Sequence, residues 1–267
     1  MFENKSKLAT NDNINKTVDI LYITYNRSYY TKKTLPALLK SLSSTSYNLT
    51  IVDNNSSDDT IEYLKTINHP RVKNIIYNKK NHGLVKPTKE FWAKSEAEFL
   101  GKIDNDILVP MDWIDNLINA HLKIPNSGVL GYCHFTKDDF DKTIVKTKIQ
   151  NYNGINIRRQ PWIGGNYILK KDIILNNKGY KQNRKYFRKR ILYGFNIYQD
   201  KLSHKGYING YLANRKKELL LWDHIDDPRH EDFYNNPNYL KNTRNMTYNE
   251  FIEFFKKDAK TLLEDYK

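Results

Sequence analysis

Glu98-Phe-Leu-Gly-Lys-Ile-Asp-Asn-Asp106 is a short apolar run that ends in two carboxylates one residue apart, Asp104 and Asp106. The run has the length of a buried strand, and the chain goes on as Ile107-Leu-Val-Pro-Met-Asp-Trp113. At the carboxyl end of a strand in an α/β sheet, two acids with one spacer can hold a hard divalent cation against a diphosphate. That points to chemistry on a nucleotide. The same Asp-x-Asp pattern also serves as a plain turn with a helix cap, so the surrounding chain must decide.

Outward from this stretch, strand-like and helix-like segments alternate. Val18-Asp-Ile-Leu-Tyr-Ile-Thr24 is apolar and β-branched and predicts a first strand. Leu35, Leu38, Leu39 and Leu42 recur at helical spacing and predict a helix over Thr31 to Leu42. Leu49 to Val52 reads as a second strand, Asp58 to Lys65 as a short helix, and Val72 to Tyr77 as a third strand. A turn at Asn81-His-Gly83, a helix through Phe91 and Trp92, the strand before Asp104 and a helix from Trp113 to Leu122 complete this half. Such alternation predicts an α/β fold with a mostly parallel sheet, helices on both faces, and ligands at the carboxyl ends of the strands.

The second half is less regular. Strands are expected at Gly128 to Phe135 and Tyr167 to Lys170, and a helix over Ile191 to His204 before Gly206-Tyr207. Thr247 to Lys267 opens with a capping box, Thr247-x-x-Glu250, and sets Phe251, Phe254, Phe255, Leu262 and Leu263 on one face. Its charges nearly balance, so it is expected to pack on the domain or a partner rather than on lipid. With no repeat and only a soft boundary near residues 141 to 153, the chain reads as one domain over 1–267. Its parts are a nucleotide-binding half (17–125), an acceptor and catalytic half (126–246) and a C-terminal helix (247–267).

Composition narrows the class. Across 267 residues, 39% hydrophobic and 13% aromatic content argue for a globular chain. No apolar run approaches the ~20 residues that span a bilayer, and the polar N-terminus lacks the apolar centre of a secretory signal. The single Cys133 cannot form an internal disulfide and reads as a buried strand residue, so a cytoplasmic protein is expected, peripheral at most to the inner face of the membrane. The formal charge of +14 invites a nucleic-acid reading. Against it, the basic residues are spread through a Lys-, Asn-, Ile- and Tyr-rich chain. The dense exception is Lys178 to Arg190, where Tyr180, Tyr186 and Phe187 interleave with seven basic residues and no acid. That segment suits a nucleic-acid surface, a loop over an active site, or a solvated loop, and the last is expected.

Four polar motifs fall at strand ends in order: Thr24-Tyr-Asn-Arg27, Val52-Asp-Asn-Asn-Ser-Ser-Asp-Asp-Thr60, Asn81-x-Gly83 and Asp104-Asn-Asp106. Together they resemble the nucleotide-binding half of a glycosyltransferase of family 2 with the GT-A fold, over roughly residues 17 to 125. The resemblance implies a nucleotide-sugar donor, a UDP-sugar first of all, held by Thr24, Tyr25, Arg27, Asp53, Asn81, Gly83, Asp104 and Asn105. It places Asp104 near the ribose and the metal and Asp106 on Mn²⁺ or Mg²⁺. The residue types suit these roles: a carboxylate such as Asp53 accepts from a uracil imide or ribose hydroxyl, Tyr25 can stack beside a base, and Arg27 can meet phosphate. Each also has a plainer use as cap, turn or surface residue.

In the second half, Gln160-Pro-Trp-Ile-Gly-Gly-Asn166 resembles the segment that lines donor sugar and acceptor in the family, which adds Trp162, Gly164 and Gly165. Trp222-Asp-His-Ile-Asp-Asp-Pro-Arg229 resembles a segment of some bacterial members and implies His224 as a further metal ligand. Members commonly carry Glu-Asp about a dozen residues before a Gly-Tyr. Here Gly194-Phe195 hold that spacing before Gly206-Tyr207, so the base that inversion needs falls to Asp200, with Asp226 and Asp227 as rivals. The expected activity is sugar transfer to a hydroxyl of a glycan or glycolipid precursor. A sugar nucleotidyltransferase would want a Gly-rich basic loop after the first strand, which Thr24 to Arg27 does not supply. A nucleic-acid binder working through 178–190 would show a steep salt slope and indifference to chelation.

Overall fold

Val18–Thr24 forms β1, buried along nearly its whole length, and the rest of the fold is built around it. The computed structural model describes residues 16–41, 43–132, 147–177, 185–187, 190–192, 194–213 and 219–220. After β1 come α1 (Ser28–Lys40), β2 (Tyr47–Asp53), α2 (Thr60–Lys65), β3 (Val72–Tyr77), α3 (Val85–Lys94) and β4 (Phe99–Asp104). The short β5 (Ile107–Leu108), α4 (Trp113–Lys123) and β6 (Ser127–Gly131) follow, then β7 (Ile149–Tyr152), β8 (Ile155–Arg159), β9 (Tyr167–Lys170) and α5 (Lys171–Asn176). The described chain ends with β10 (Lys185–Phe187), β11 (Arg190–Leu192), α6 (Gly194–His204), β12 (Ile208–Leu212) and β13 (Leu219–Leu220).

Nine strands make one sheet in the order β3-β2-β1-β4-β9-β6-β12-β8-β7. β3, β2, β1 and β4 are mutually parallel, and β6 and β12 run with them; β9 and β8 run against. Such strands are buried on both faces, which is why β1 and β4 read as near-continuous apolar runs. On one face Ile20 and Tyr22 pack with Leu35 and Leu38 of α1, Leu64 of α2, and Ile114 and Leu117 of α4. On the other, Leu21, Ile23 and Leu100 pack with Phe91 and Trp92 of α3 and with Tyr198 and Leu202 of α6. The expected α/β fold, a mostly parallel sheet with helices on both faces, is the observed one, with antiparallel strands added in the second half.

Three expectations are corrected. The helix expected from Ile191 begins at Gly194, because Arg190–Leu192 pairs in antiparallel register with Lys185–Phe187. An apolar triplet fits strand and helix equally, and its pairing partner decides. The same ladder puts backbone structure into the basic segment 178–190, where a solvated loop was expected. The region near residues 141 to 153 is no boundary at its far end, since β7 and β8 form a hairpin that extends the sheet. Cys133, the strand beyond Tyr132 and the helix over 247–267 lie outside the described residues.

Candidate active site

Strand order sets the site. The chain steps outward from β1 to β2 to β3, then returns to place β4 on the other side of β1. This reversal opens a crevice between the carboxyl ends of β1 and β4, the position where open α/β sheets take ligands. Ile23 pairs with Asp104 across it, and Thr24 pairs with Asp53 on the β2 side.

Leaving β1, Asn26 and Arg27 both take left-handed backbone conformations, φ 53° and 63°. Each such residue other than glycine costs about 1–2 kcal/mol, and here the turn is held in return. The Asn26 N–H donates to Ser56 Oγ (2.7 Å) and its side-chain oxygen accepts from Ser57 N (2.7 Å). Ser28 N–H donates to Asp58 (2.9 Å), and Lys32 pairs with Asp59. The Asx- and Ser-rich loop after β2 thus clamps the turn after β1.

Asp53 is fully buried. Its carboxylate accepts from Thr24 Oγ1 (2.9 Å), from Ser56 N (2.9 Å) and from the Ser56 hydroxyl. The expectation that Asp53 faces a uracil or ribose meets a carboxylate already closed over by Ser56, which must turn aside to admit a ligand. Asn54 donates to Gly83 O (3.0 Å) and accepts from Asn78 (2.9 Å), while Gly83 N–H donates to Asn81 (2.7 Å). Gly83 has φ 67° and open space around it, so the exposed 81–83 turn is docked against the end of β2. Tyr25, which follows Thr24 at the end of β1, is 48% exposed and available for stacking.

At β4 each acid has a cation of this chain beside it. Arg27 Nη1 donates to Asp106 Oδ2 at 2.8 Å, and Lys102 pairs with Asp104. Burial, with the Asp104 charge adding to it, pushes the Asp106 carboxyl up to about 6, and Arg27 offsets part of that rise. Asn105 turns inward: its amide donates to Asn26 O (3.2 Å) and Thr31 Oγ1 (3.0 Å), and its carbonyl accepts from Thr34 (2.8 Å). It fixes the loop on α1 instead of facing a ligand. Sequence reasoning passed over Lys102, whose signal is a lone cation within an apolar strand, two residues before Asp104 and on the same face.

The second half contributes the turn before β9, whose first residue, Tyr167, pairs with Lys102 and with Gly131. Gly164 is exposed and Gly165 has φ 71°. Trp162 is half-buried, with an indole N–H that finds no partner among the described residues. Asn166, also passed over, is fully buried, and neither amide atom finds a partner among the described residues. Gly131 makes room for this turn: a Cβ there would lie 2.3 Å from Asn166 O.

Asp200 is carried by α6. It lies six residues into α6, about 9 Å along the axis from Gly194, and its carboxylate is 3.7 Å from His204 Nε2. That end of α6 leads through Gly206 to Ile208, which pairs with Ser127 at the start of β6, on the sheet edge opposite the acids. His224, Asp226 and Asp227 lie outside the described residues, yet Leu220 pairs with Ile107, the neighbour of Asp106. Among the described residues no group of three or more acids, histidines and cysteines is assembled for a metal. A cavity of about 230 Å³ lies between α3 and strands β2 and β3, lined by Val52, Ile76 and Phe91 among others, and neither Asp104 nor Asp106 borders it.

The sequence model of the family described as glycosyl transferase family 2 matches residues 19–205, more than half of the chain. The chain belongs to glycosyl transferase family 2. No curated protein sequence gives a significant match. Solved structures share the GT-A fold with this family 2 chain at low identity. The mannosyltransferase PcManGT from Pyrobaculum calidifontis, in complex with GDP-Man and Mn²⁺, is 16% identical with a TM-score of 0.54, over 74% of this chain and 55% of that one. TarS 1-349 of S. aureus with UDP-GlcNAc is 17% identical with a TM-score of 0.51, over 82% and 64%. Its complex with UDP is 16% identical with a TM-score of 0.50, over 76% and 59%. The chain thus spans between about half and two-thirds of the length of these structures, and at such identities the likeness shows the fold alone.

Proposed function

We propose that this family 2 member transfers one sugar from a nucleotide-diphosphate donor to a hydroxyl of a glycan or glycolipid, inverting the anomeric carbon. The observation that carries the reading is the crevice between β1 and β4. There, in a chain of this family, Thr24 bonds to Asp53 and Arg27 to Asp106 beside Asp104. Tyr25 and the 81–83 turn flank the base, Arg27 meets the diphosphate, and Trp162 with Gly164 and Gly165 border the sugar and acceptor. In the transfer, the acceptor oxygen bonds to the anomeric carbon as the bond from that carbon to the diphosphate oxygen breaks. The electron pair leaves with the nucleoside diphosphate, and the hydroxyl proton passes to a carboxylate. Asp200, on α6, is the first candidate for that base, with Asp226 and Asp227 as its rivals.

The donor set fits a hard divalent ion. Mg²⁺ and Mn²⁺ are commonly held by one or two carboxylates plus substrate phosphates, and the Asp104 charge, which adds to burial in raising Asp106, is what such an ion relieves. Asp104 and Asp106 would hold it. His224 would join them, since the four-residue tether from Leu220 reaches at most ~14 Å. When bound, the ion supplies Lewis-acid stabilisation of the leaving diphosphate. GDP-Man with Mn²⁺ in PcManGT and UDP-GlcNAc in TarS make sugar nucleotides of both bases the donors to try. No helix among the described residues is long and apolar enough to cross a membrane, which suits a cytoplasmic enzyme acting at the membrane face.

The test is release of free nucleotide from UDP-, GDP- and dTDP-sugars with Mn²⁺, beside Asp106→Ala. Turnover of one donor that is lost with EDTA and with the substitution is expected. Silence on every donor, with no nucleotide bound, overturns the reading.

A further inference from the structure

We propose that Lys102 is a diphosphate-binding residue, a cation built into β4 that meets the donor's phosphates from beneath the acid pair. The inference rests on the nucleotide-sugar reading above and adds a residue to it.

Lys102 is only 5% exposed. Its strand neighbours are Leu21 of β1 on one side and Tyr167 of β9 on the other, both members of the apolar core on that face. Leu100, two residues earlier on the same side of β4, belongs to that core too. An ammonium in such surroundings has lost most of its water, at a cost of several kcal/mol. It has three N–H donors, and among the described residues its partner is Asp104 alone. That partner lies two residues nearer the carboxyl end of the strand and is still about one-third open to solvent (side chain 30% exposed), so the ammonium sits at the floor of the crevice with donors to spare.

Stability does not explain the residue. Replacing a buried ion pair by apolar side chains of similar volume is often neutral or stabilising. Asp104, partly solvated, does not need a buried partner. A lysine where Leu or Met would pack supplies a charge that packing does not require. A phosphate oxygen in the β1–β4 crevice is the acceptor that completes it. Arg27 is bonded to Asp106 as Lys102 is to Asp104, so each acid of the pair carries a cation at the place where a diphosphate would lie.

The test measures binding, not turnover. UDP and GDP are titrated by calorimetry against the full chain, with uridine and guanosine as phosphate-free controls, in EDTA and in Mn²⁺. Wild type, Lys102→Met and Lys102→Arg are compared, with thermal unfolding of each. In EDTA the diphosphate should bind wild type more tightly than its nucleoside. Lys102→Met should weaken the diphosphate by about tenfold to a hundredfold, leave the nucleoside unchanged, and melt no lower than wild type. Lys102→Arg should keep most of the affinity. A Lys102→Met protein that binds the diphosphate in EDTA as wild type does overturns the proposal while leaving the donor reading intact. So does one that melts lower but keeps its affinity, since that is a structural ion pair. If wild type binds no nucleotide with or without Mn²⁺, the donor reading falls and takes this proposal with it.

Discussion

His121 joins the two halves of the sheet, and acid should undo the joint. The ladder between β6 and β9 holds two residue pairs, Leu130–Ile168 and Gly131–Tyr167. The imidazole of His121 on α4 carries the connection further: it bonds to Ser127 Oγ at 2.8 Å and to Ile168 O at 3.0 Å. A carbonyl can only accept, so Nε2 bears the proton and Nδ1 accepts from the serine. The ring is fully buried, and burial, with Lys170 adding to it, pushes its pKa down to about 3. In the unfolded chain it titrates near 6.5. A depressed histidine contributes stability that is fully present above the unfolded pKa and is lost as pH falls toward the folded one. Between pH 7 and pH 5 this linkage removes about 2 kcal/mol, and about 5 kcal/mol over the whole window. Asp106 works the other way, its raised carboxyl adding stability as pH falls through about 6, so absolute stability is a poor readout. Guanidinium unfolding of wild type and His121→Gln at both pH values isolates the imidazole, because Asp106 is common to both. Wild type should lose about 2 kcal/mol more than the variant on going to pH 5. Equal losses refute the buried neutral imidazole.

Three other substitutions test the site's supports. Gly131→Ala would put a Cβ 2.3 Å from Asn166 O and 2.8 Å from Ile163 Cγ2, so Tm should fall by about 3–10 °C; an unchanged melting curve would mean the 163–166 turn is free to move. Arg27→Ala strips the guanidinium from buried Asp106 and should cost about 1–3 kcal/mol, less than a fully buried pair because Arg27 is partly exposed. The same change in an Asp106→Asn background should cost clearly less, and identical costs would show no coupling. Asn105→Ala leaves Asn26 O and Thr31 Oγ1 without their donor and should destabilise by about 1–3 kcal/mol; a neutral effect in urea unfolding would refute the inward-turned amide.

The donor half was legible because its signals are local. β1 runs from Val18 to Thr24 and β3 from Val72 to Tyr77, as the apolar runs predict. The motifs fall at strand ends because a parallel sheet with short crossovers leaves few other places for polar residues. The acceptor half was legible only in part: β9 falls at Tyr167–Lys170 as expected, while the rest was hidden for two different reasons. One is oversight: Asn153-Gly154 is a hairpin signal in plain view, both residues left-handed at φ 49° and 82°, and it joins β7 to β8. The other is real. β9 enters the sheet between β4 and β6 against their direction, and nothing in Tyr167–Lys170 states which strands it will meet. The same limit hid the surroundings of Lys102 and Asn166, which are set only once β9 lies beside β4.

Charge offers a last constraint on what this crevice can hold. Asp104 and Asp106 are matched by Lys102 and Arg27, so the described site is near neutral as it stands. An acid pair without such partners would attract a divalent ion alone; a basic pair without acids would attract a diphosphate alone. Having both, the crevice favours ligands that bring opposite charges together, and a doubly charged ion with a diphosphate is such a combination. Either alone unbalances a site of low dielectric, where Coulomb energies are several times those in water. The ion and the nucleotide should therefore bind with positive coupling, each tightening the other by the same factor. Lys102→Met changes that balance by one charge: it should weaken the nucleotide most in EDTA and least in saturating Mn²⁺. If the variant instead loses as much affinity with Mn²⁺ as without it, Lys102 and the ion act independently, and the charge-balance account of the crevice is wrong.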